Sequence, residues 1–519
     1  METLTLLLQG FSGALTVENL MWVTMGAVMG TLVGALPGLG PTAGIAILLP
    51  FAFTMNPTSS LIMLGGIYYG AMYGGTITAV LLNLPGESDS IWTALEGHQL
   101  AKRGRGGATL VIAAVCSFFA GTVSLILLVV LAPILAEWAL RFGPAEQFGM
   151  LLLGLALVSG LNATVPAKGY LMLAFGLSIG FVGMDLVTGM PRFTFGVDRL
   201  IDGIDFLPVT VGMFGLADVL ANIERQMRVS ANSRVRMKEL LPNREEWRLS
   251  CWPSIRGTLI GFFLGTIPGT GTTVGSTTSY VVERKLSKRP EMFGKGAIEG
   301  VAGPESANNA VTSGTMVPIL ALGVPGSPAT AVLFGAMLMQ GLRPGPLLFE
   351  NSPDVIWAFL ASMYVGNVIL LILNTFFIPV LTTLTLKAVK VLNASIIVFC
   401  IVGVFAFRNS MFDVGTMIAF GVVGYILNKL EYPTIPLVLG IVMGDLAEQT
   451  LRQSLIISDG SPLIFFHSPI SAVLVVLASL AVIVPIVRSL MSRRVGDQPT
   501  DTLDNGARNY SPAAKQVDQ

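Results

Sequence analysis

Four short motifs join proline to glycine inside otherwise apolar sequence: Pro37-Gly38, Pro85-Gly86, Pro268-Gly269 and Pro325-Gly326. Proline removes one helical hydrogen bond and obstructs the turn before it. Glycine lets the backbone turn sharply and lets a ligand come close. A helix broken inside a bilayer leaves unpaired N–H groups at the start of one half and unpaired carbonyls at the end of the other. The N–H ends carry partial positive charge and suit an anion, while the carbonyl ends suit Na+. A solute anion stripped of water needs such a substitute for its hydration shell.

Polar side chains gather at these breaks. Gly40 and Thr42 follow the first. Asn83 precedes the second, and Glu87, Ser88, Asp89 and Ser90 follow it. Thr270, Gly271, Thr272 and Thr273 follow the third, and Ser327 the fourth. The expected substrate-binding set is therefore Pro37, Gly38, Gly40, Thr42, Asn83, Pro85, Gly86, Ser88, Pro268, Gly269, Thr270, Gly271, Thr272, Thr273, Pro325, Gly326 and Ser327. Hydroxyls and amides donate to a carboxylate or accept from water and Na+. Glu87 and Glu305, with Ser306, Asn308 and Asn309 beside the latter, are expected to serve the coupling ion, because carboxylates inside a membrane are costly and usually functional. Any one hydroxyl serves packing as readily as binding. A lone Pro-Gly is as readily a kink, whereas four in two matched pairs argue for a site.

The enclosing elements must be membrane helices. The chain has 519 residues, 53% hydrophobic and 12% charged, with mean hydropathy +0.73. An ordinary soluble domain is about 25% charged. The formal net charge is zero, which gives no nucleic-acid signature. The expected fold is all-α and polytopic, with about ten to twelve membrane passes. After a weakly amphipathic lead-in at 1–17, expected at the interface, apolar stretches run at 20–53, 61–84, 109–135, 148–165, 170–187 and 206–220. After a charged segment they resume at 257–280, 300–340, 355–386, 394–407, 415–427, 435–444 and 469–487.

The two halves look alike. Gly34-Ala35-Leu36-Pro37-Gly38-Leu39-Gly40 matches Gly265-Thr266-Ile267-Pro268-Gly269-Thr270-Gly271, with the prolines 231 residues apart; Pro85 and Pro325 are 240 apart, Asp218 and Asp445 227. This divides the chain into a first transmembrane repeat (1–221), a basic linker (222–256), a second repeat (257–492) and a polar tail (493–519) expected to be disordered. The linker carries Arg225, Arg228, Arg234, Arg236, Lys238, Arg244 and Arg248, which places it in the cytoplasm. Charge bias swaps between matched loops. The loop after the first break, 54–60, has no charge, and its counterpart has Arg284, Lys285, Lys288, Arg289 and Lys295. The loop after Ser88 has Lys102, Arg103 and Arg105, and its counterpart only Arg343. Matched loops then face opposite sides, so the repeats are expected to be inverted, each with two broken or re-entrant segments.

Other classes are less well served. His98 and His467 are the only histidines, and Cys116, Cys251 and Cys400 are scattered, so no nucleophilic or metal constellation points to an enzyme. No metal and no cofactor is expected beyond Na+ or H+ as coupling ion. Met443-Gly444-Asp445 lacks the preceding glycine of an intramembrane aspartyl protease, since Val442 stands there, and no phosphate loop is present. A passive channel or pore for small solutes is the alternative function.

Several stretches carry a family likeness: 30–41 (Gly-Thr-Leu-Val-Gly-Ala-Leu-Pro-Gly-Leu-Gly-Pro), 66–75 (Gly-Ile-Tyr-Tyr-Gly-Ala-Met-Tyr-Gly-Gly), Asn83-Leu84-Pro85-Gly86-Glu87, 117–123, Phe142-Gly143-Pro144-Ala145-Glu146 and Arg192-Phe193-Thr194-Phe195-Gly196. Through them the chain resembles, nearly to Arg494, the large membrane subunit of tripartite tricarboxylate transporters, the TctA-type family. The resemblance implies a small four-span membrane subunit and a periplasmic solute-binding protein as partners. It also implies an ion gradient rather than ATP as the driving force, and a bacterial inner membrane as the location. Citrate-like tricarboxylates are the namesake organic anion substrates. No arginines cluster at the breaks.

Overall fold

The computed structural model describes residues 2–36, 38–161, 165–185, 188–225 and 240–495. Helices dominate: α1 (Glu2–Ala14), α2 (Val17–Gly34), α3 (Pro41–Phe53), α4 (Pro57–Leu82), α5 (Ile91–Lys102), α6 (Gly106–Ala139), α7 (Pro144–Leu161), α8 (Pro166–Gly180), α9 (Phe206–Thr210), α10 (Ala217–Arg225), α11 (Arg244–Gly265), α12 (Gly271–Leu286), α13 (Glu299–Leu322), α14 (Pro328–Met339), α15 (Leu348–Asn351), α16 (Pro353–Phe376), α17 (Ile378–Arg408), α18 (Met411–Lys429), α19 (Ile435–Ile457), α20 (Ile464–His467) and α21 (Pro469–Val495). A π-helical turn, Val211–Leu216, joins α9 to α10. Among the described residues the one sheet is a two-stranded antiparallel ribbon, Gly183–Met184 with Pro191–Arg192.

Among the described residues, six helices are long and apolar enough to cross a membrane: α6, α7, the continuous stretch Phe206–Glu224, α16, α18 and Pro469–Val487. Shorter apolar helices lie at Pro41–Phe53, Pro328–Met339 and Ala394–Arg408. Helices α4 and α13 have 26 and 24 residues, about 39 and 36 Å at the usual rise, yet their composition is too polar for that class. Nearly every residue in both is buried. They are wrapped by protein rather than lipid, so glycine, hydroxyl and amide residues replace leucine.

The helices on either side of the first and third breaks pack against each other as hairpins, α2 with α3 and α11 with α12. In the first, Trp22 of α2 meets Phe51 of α3 with ring centroids 5.7 Å apart. Asn56, just before α4, donates to Glu18 of α2 at 3.2 Å. In the second, Arg256 of α11 donates to Glu283 of α12 at 2.7 Å, and Arg289 lies 3.5 Å from Glu245. Each chain segment therefore goes in, turns and returns to the end it came from. Small residues let the next helix close on the hairpin. Added methyls on Gly26, Gly30 and Gly34 would sit 2.3, 2.4 and 2.0 Å from the carbonyl oxygens of Met63, Ile67 and Ala71 in α4. Gly257, Gly261 and Gly265 stand likewise 2.3, 2.2 and 2.7 Å from those of Gly303, Ala307 and Val311 in α13.

Helices α4 and α13 cross antiparallel. The Tyr68 hydroxyl is 3.1 Å from Thr315 Oγ1, Tyr69 bonds Ser313, and Thr76 bonds Glu305, so one register rises as the other falls. Several basic residues collect around the segment leading into α13. Arg103 donates to the Lys295 carbonyl at 2.6 Å, Arg105 pairs with Glu246, and Arg289 pairs with Glu299.

Some segment limits differ from those read in the sequence. The lead-in is a helix docked on α16, where a methyl on Gly10 would lie 2.2 Å from the Trp357 carbonyl oxygen. Helix α8 stops at Gly180, and the ribbon beyond it is tied to α19 by Asp185, Arg192, Glu448 and Arg452. The expected spans 355–386 and 394–407 divide instead at Phe377, because Pro379 opens α17, which then runs unbroken to Arg408. Of the basic linker, 226–239 lie outside the described residues. Helix α11 begins within it at Arg244, where Asn243 and Glu246 form a capping box. The tail from 496 also lies outside the described residues.

Candidate functional site

In each half the hairpin tip is hydrogen-bonded to the second break. Gly38 N–H donates to the Gly86 carbonyl at 3.2 Å, and Gly269 N–H to the Gly326 carbonyl at 3.0 Å. Both tip glycines need a backbone that side chains rarely adopt, with φ of 84° and 88°. The second breaks also match. Helix α4 ends on left-handed Asn83 and α13 on left-handed Gly323. Leu84 N–H then reaches back to the Thr78 carbonyl at 3.3 Å, and Val324 N–H to Pro318 at 3.1 Å. Gly86 fits where a methyl would be 2.2 Å from the Gly34 carbonyl oxygen.

The halves interlock at these breaks. The turn Ser88–Ser90 of the first half packs on α12 of the second, and α14 of the second packs on α3 of the first. Thr272 lies beside the Asp89 carboxylate, and Trp92 donates to Thr277 at 2.9 Å. The Tyr68 hydroxyl is 3.1 Å from Ser327 Oγ.

The starts of α3 and α12, the helices leaving the two tips, have no side-chain cap. Thr16, Asn56, Asn243 and Ser327 cap α2, α4, α11 and α14, while α5, α6, α8, α13, α16, α17 and α19 start without a side-chain cap as the tip helices do. The tip helices thus keep N–H groups open to an anion. Beside them stand three carboxylates. Glu305 accepts from Thr76 at 2.8 Å and Thr93 at 2.5 Å. Asp89 is 3% exposed, and its Oδ2 has no hydrogen-bond partner. A methyl on Gly40 would stand 3.4 Å from the Glu87 carboxyl carbon. Among the described residues no lysine or arginine forms an ion pair with these three. The arrangement offers backbone donors for an anion and carboxylates for a cation in one region.

The model of the tripartite tricarboxylate transporter TctA family matches residues 20–439. The chain belongs to this family. It is a transporter component, a multi-pass membrane protein of a system with further subunits. Over 494 residues it is 43% identical to a protein of Agrobacterium vitis described as "Uncharacterized 52.8 kDa protein in TAR-I ttuC' 3'region", covering 95% of this chain and 98% of the relative. A second Agrobacterium vitis protein, "Uncharacterized protein in TAR-II ttuC' 3'region", is 41% identical over 234 residues, 45% of this chain and 97% of the relative. No solved structure matches.

In this TctA-family chain the expected site residues fall into distinct places. Pro37 lies outside the described residues. Gly38, Gly40 and Thr42 form the first tip and the start of α3, and Pro268, Gly269, Gly271, Thr272 and Thr273 the second tip and the start of α12. Asn83, Pro85, Gly86 and Ser88 line the first return, and Pro325, Gly326 and Ser327 the second, wholly buried. Thr270 spends its hydroxyl on the Leu264 and Ile267 carbonyls, closing the turn. Ser306 bonds Ser254 at 2.8 Å, joining α13 to α11. Asn309 donates to Ser117 and to the Glu305 carbonyl. Asn308 and Asn309 each keep a buried amide oxygen without a partner. Tyr68, Tyr73, Thr76, Thr93 and Asn374 were not among the expected residues. The signal for Tyr73 and Thr76 was their spacing of three within a glycine-rich helix, which puts them on one face.

Proposed function

We propose that this chain is the permease subunit of a binding-protein-dependent secondary transporter that imports organic anions, tricarboxylates such as citrate or related carboxylates. The driving force is Na+ or H+ symport, with alternating access. The partners are a small four-span membrane subunit and a periplasmic solute-binding protein, in a bacterial inner membrane. The two halves act as inverted-topology repeats, which the antiparallel crossing of α4 and α13 and the matched hairpins support.

The observation that carries the reading is the matched pair of tips, Gly38 and Gly269, each hydrogen-bonded to its own half's second break just before the start of α3 or α12. Their N–H ends supply what a dehydrated carboxylate needs, with no arginine. Glu87, Asp89 and Glu305 would repel that anion unless a cation comes with it, which is a physical reason for symport. Proteoliposomes holding the chain and its partners are expected to accumulate a carboxylate only under an imposed Na+ or proton gradient. Saturable uptake indifferent to both gradients rejects symport, and non-saturable flux assigns a passive pore.

A further inference from the structure

Between α4, α6 and the junction of α16 with α17 lies a cavity of about 10 Å³, lined by Tyr73, Thr76, Ser117 and Asn374 among apolar neighbours. That is room for one water-sized particle. It excludes any organic substrate.

The protons around it are already committed. Asn374 is 4% exposed; its Nδ2 donates to the Leu370 carbonyl at 3.0 Å, and its Oδ1 has no partner. A buried acceptor left unmade costs about 1–3 kcal/mol, so such an atom calls for an occupant. Thr76 gives its proton to Glu305 Oε2. Tyr73 gives its proton to Asn367 Oδ1 at 2.7 Å, and Asn367 is fixed in that orientation by donating to the Phe118 carbonyl at 2.9 Å. Ser117 Oγ accepts from Asn309 at 2.7 Å. Lone pairs of Tyr73, Thr76 and Asn374 are thus left for the occupant, and Ser117 alone keeps a free proton. An anion is repelled. The Glu305 carboxylate, one hydroxyl away, favours positive charge.

We propose that this cavity binds one dehydrated monovalent cation of Na+ size, coordinated by the Asn374 amide oxygen and the Tyr73, Thr76 and Ser117 hydroxyl oxygens, with Glu305 as its outer counter-charge. The inference rests on the ion-coupled reading above and names the place of the coupling ion. Because the ligands come from both halves' helices and Thr76 holds Glu305, filling the cavity stiffens the contact between α4 and α13.

The test is Na+ binding to the full-length chain in detergent, read as ²²Na+ retention and as a Na+-dependent rise in thermal midpoint, with choline replacing Na+ at constant ionic strength. Wild type is expected to bind Na+ saturably and K+ at least tenfold more weakly. Asn374→Leu and Thr76→Val are expected to raise the half-saturating Na+ concentration tenfold or more. Asn374→Asp and Thr76→Ser, which keep the oxygens, are expected to retain binding, the former more tightly. Wild-type Na+ affinity in Asn374→Leu, or no Na+ binding in wild type, overturns the proposal and leaves a water in the cavity; so does loss of binding in a folded Asn374→Asp. Uptake driven by Na+ and unchanged in Asn374→Leu removes the site while sparing symport. Na+ binding lost in Asn374→Leu, beside uptake that ignores every gradient, keeps the site and removes symport.

Discussion

The Thr76 hydroxyl on α4 donates to Glu305 Oε2 on α13 at 2.8 Å, so a side chain of the first half holds a carboxylate of the second. Thr93 holds the other oxygen at 2.5 Å. Hydrogen bonds to a charged group contribute about 1.5–3 kcal/mol each. Thr76→Val is expected to lower the thermal midpoint in detergent, and Thr76→Val with Thr93→Val to lower it by more than the sum, since the carboxylate then has no donor from the first half. Glu305→Gln is expected to leave the midpoint nearly unchanged and to abolish coupled uptake. A double variant as stable as wild type contradicts this.

Glycines divide sharply by surroundings. A methyl on Gly34 meets the Ala71 carbonyl oxygen at 2.0 Å, and one on Gly269 meets that of Leu157 at 2.8 Å, while Gly415 faces open space. Overpacking costs about 1–3 kcal/mol, and Gly269 adds strain at φ 88°. Gly34→Ala and Gly269→Ala are expected to reduce folded yield by size-exclusion chromatography. Gly415→Ala, inside α18, is expected to be neutral or to stabilise by up to about 1 kcal/mol.

Tyr68 reaches both Thr315 and Ser327 with one hydroxyl. Tyr68→Phe removes the bridge between α4 and the return before α14 while keeping the ring. The expected loss of stability is small, about 0.5–1.5 kcal/mol. Uptake is expected to fall severalfold at normal membrane yield, because the link joins the halves that the proposed alternating access would move. Full uptake in Tyr68→Phe would mean the bridge serves packing alone.

The proposed inversion of the repeats has a topological consequence. Thr54 ends the first hairpin and Lys288 follows the second, and both are exposed. With Cys251 replaced by serine, Thr54→Cys is expected to react with an impermeant thiol reagent from outside intact cells. Lys288→Cys is expected to react only in inside-out vesicles. Reaction of both from one side contradicts inversion.

The breaks were legible in the sequence because a hairpin tip inside a membrane needs a residue that stops the helix and one that turns, and Pro268-Gly269 states both. Whether a break is a tip or a kink is not local information; it is decided by Glu283 meeting Arg256 and Phe51 meeting Trp22. Helices α4 and α13 lie largely within the apolar stretches 61–84 and 300–340, but their glycines, hydroxyls and amides follow from protein, not lipid, surrounding them. The boundary at Phe377 was missed because Lys387 and Lys390 lower the apolar signal later in an unbroken helix. Asn374 ends a plainly apolar run, and nothing nearby in sequence marks it; only the packing of α16 on α4 and α6 gives its amide oxygen a cavity. Thr270 looked like a ligand donor by type, yet the turn uses its hydroxyl.

Under the proposed function, the tips at the starts of α3 and α12 form one site reached alternately from the two sides. The direct measurement is two-sided thiol accessibility of Thr42→Cys and Thr273→Cys in reconstituted vesicles lacking Cys251, with and without carboxylate and Na+. Each tip is expected to react from both sides of the membrane population and to be protected at both when substrate and cation are supplied together. Reaction of one tip from a single side only, with no protection by any carboxylate, contradicts the account.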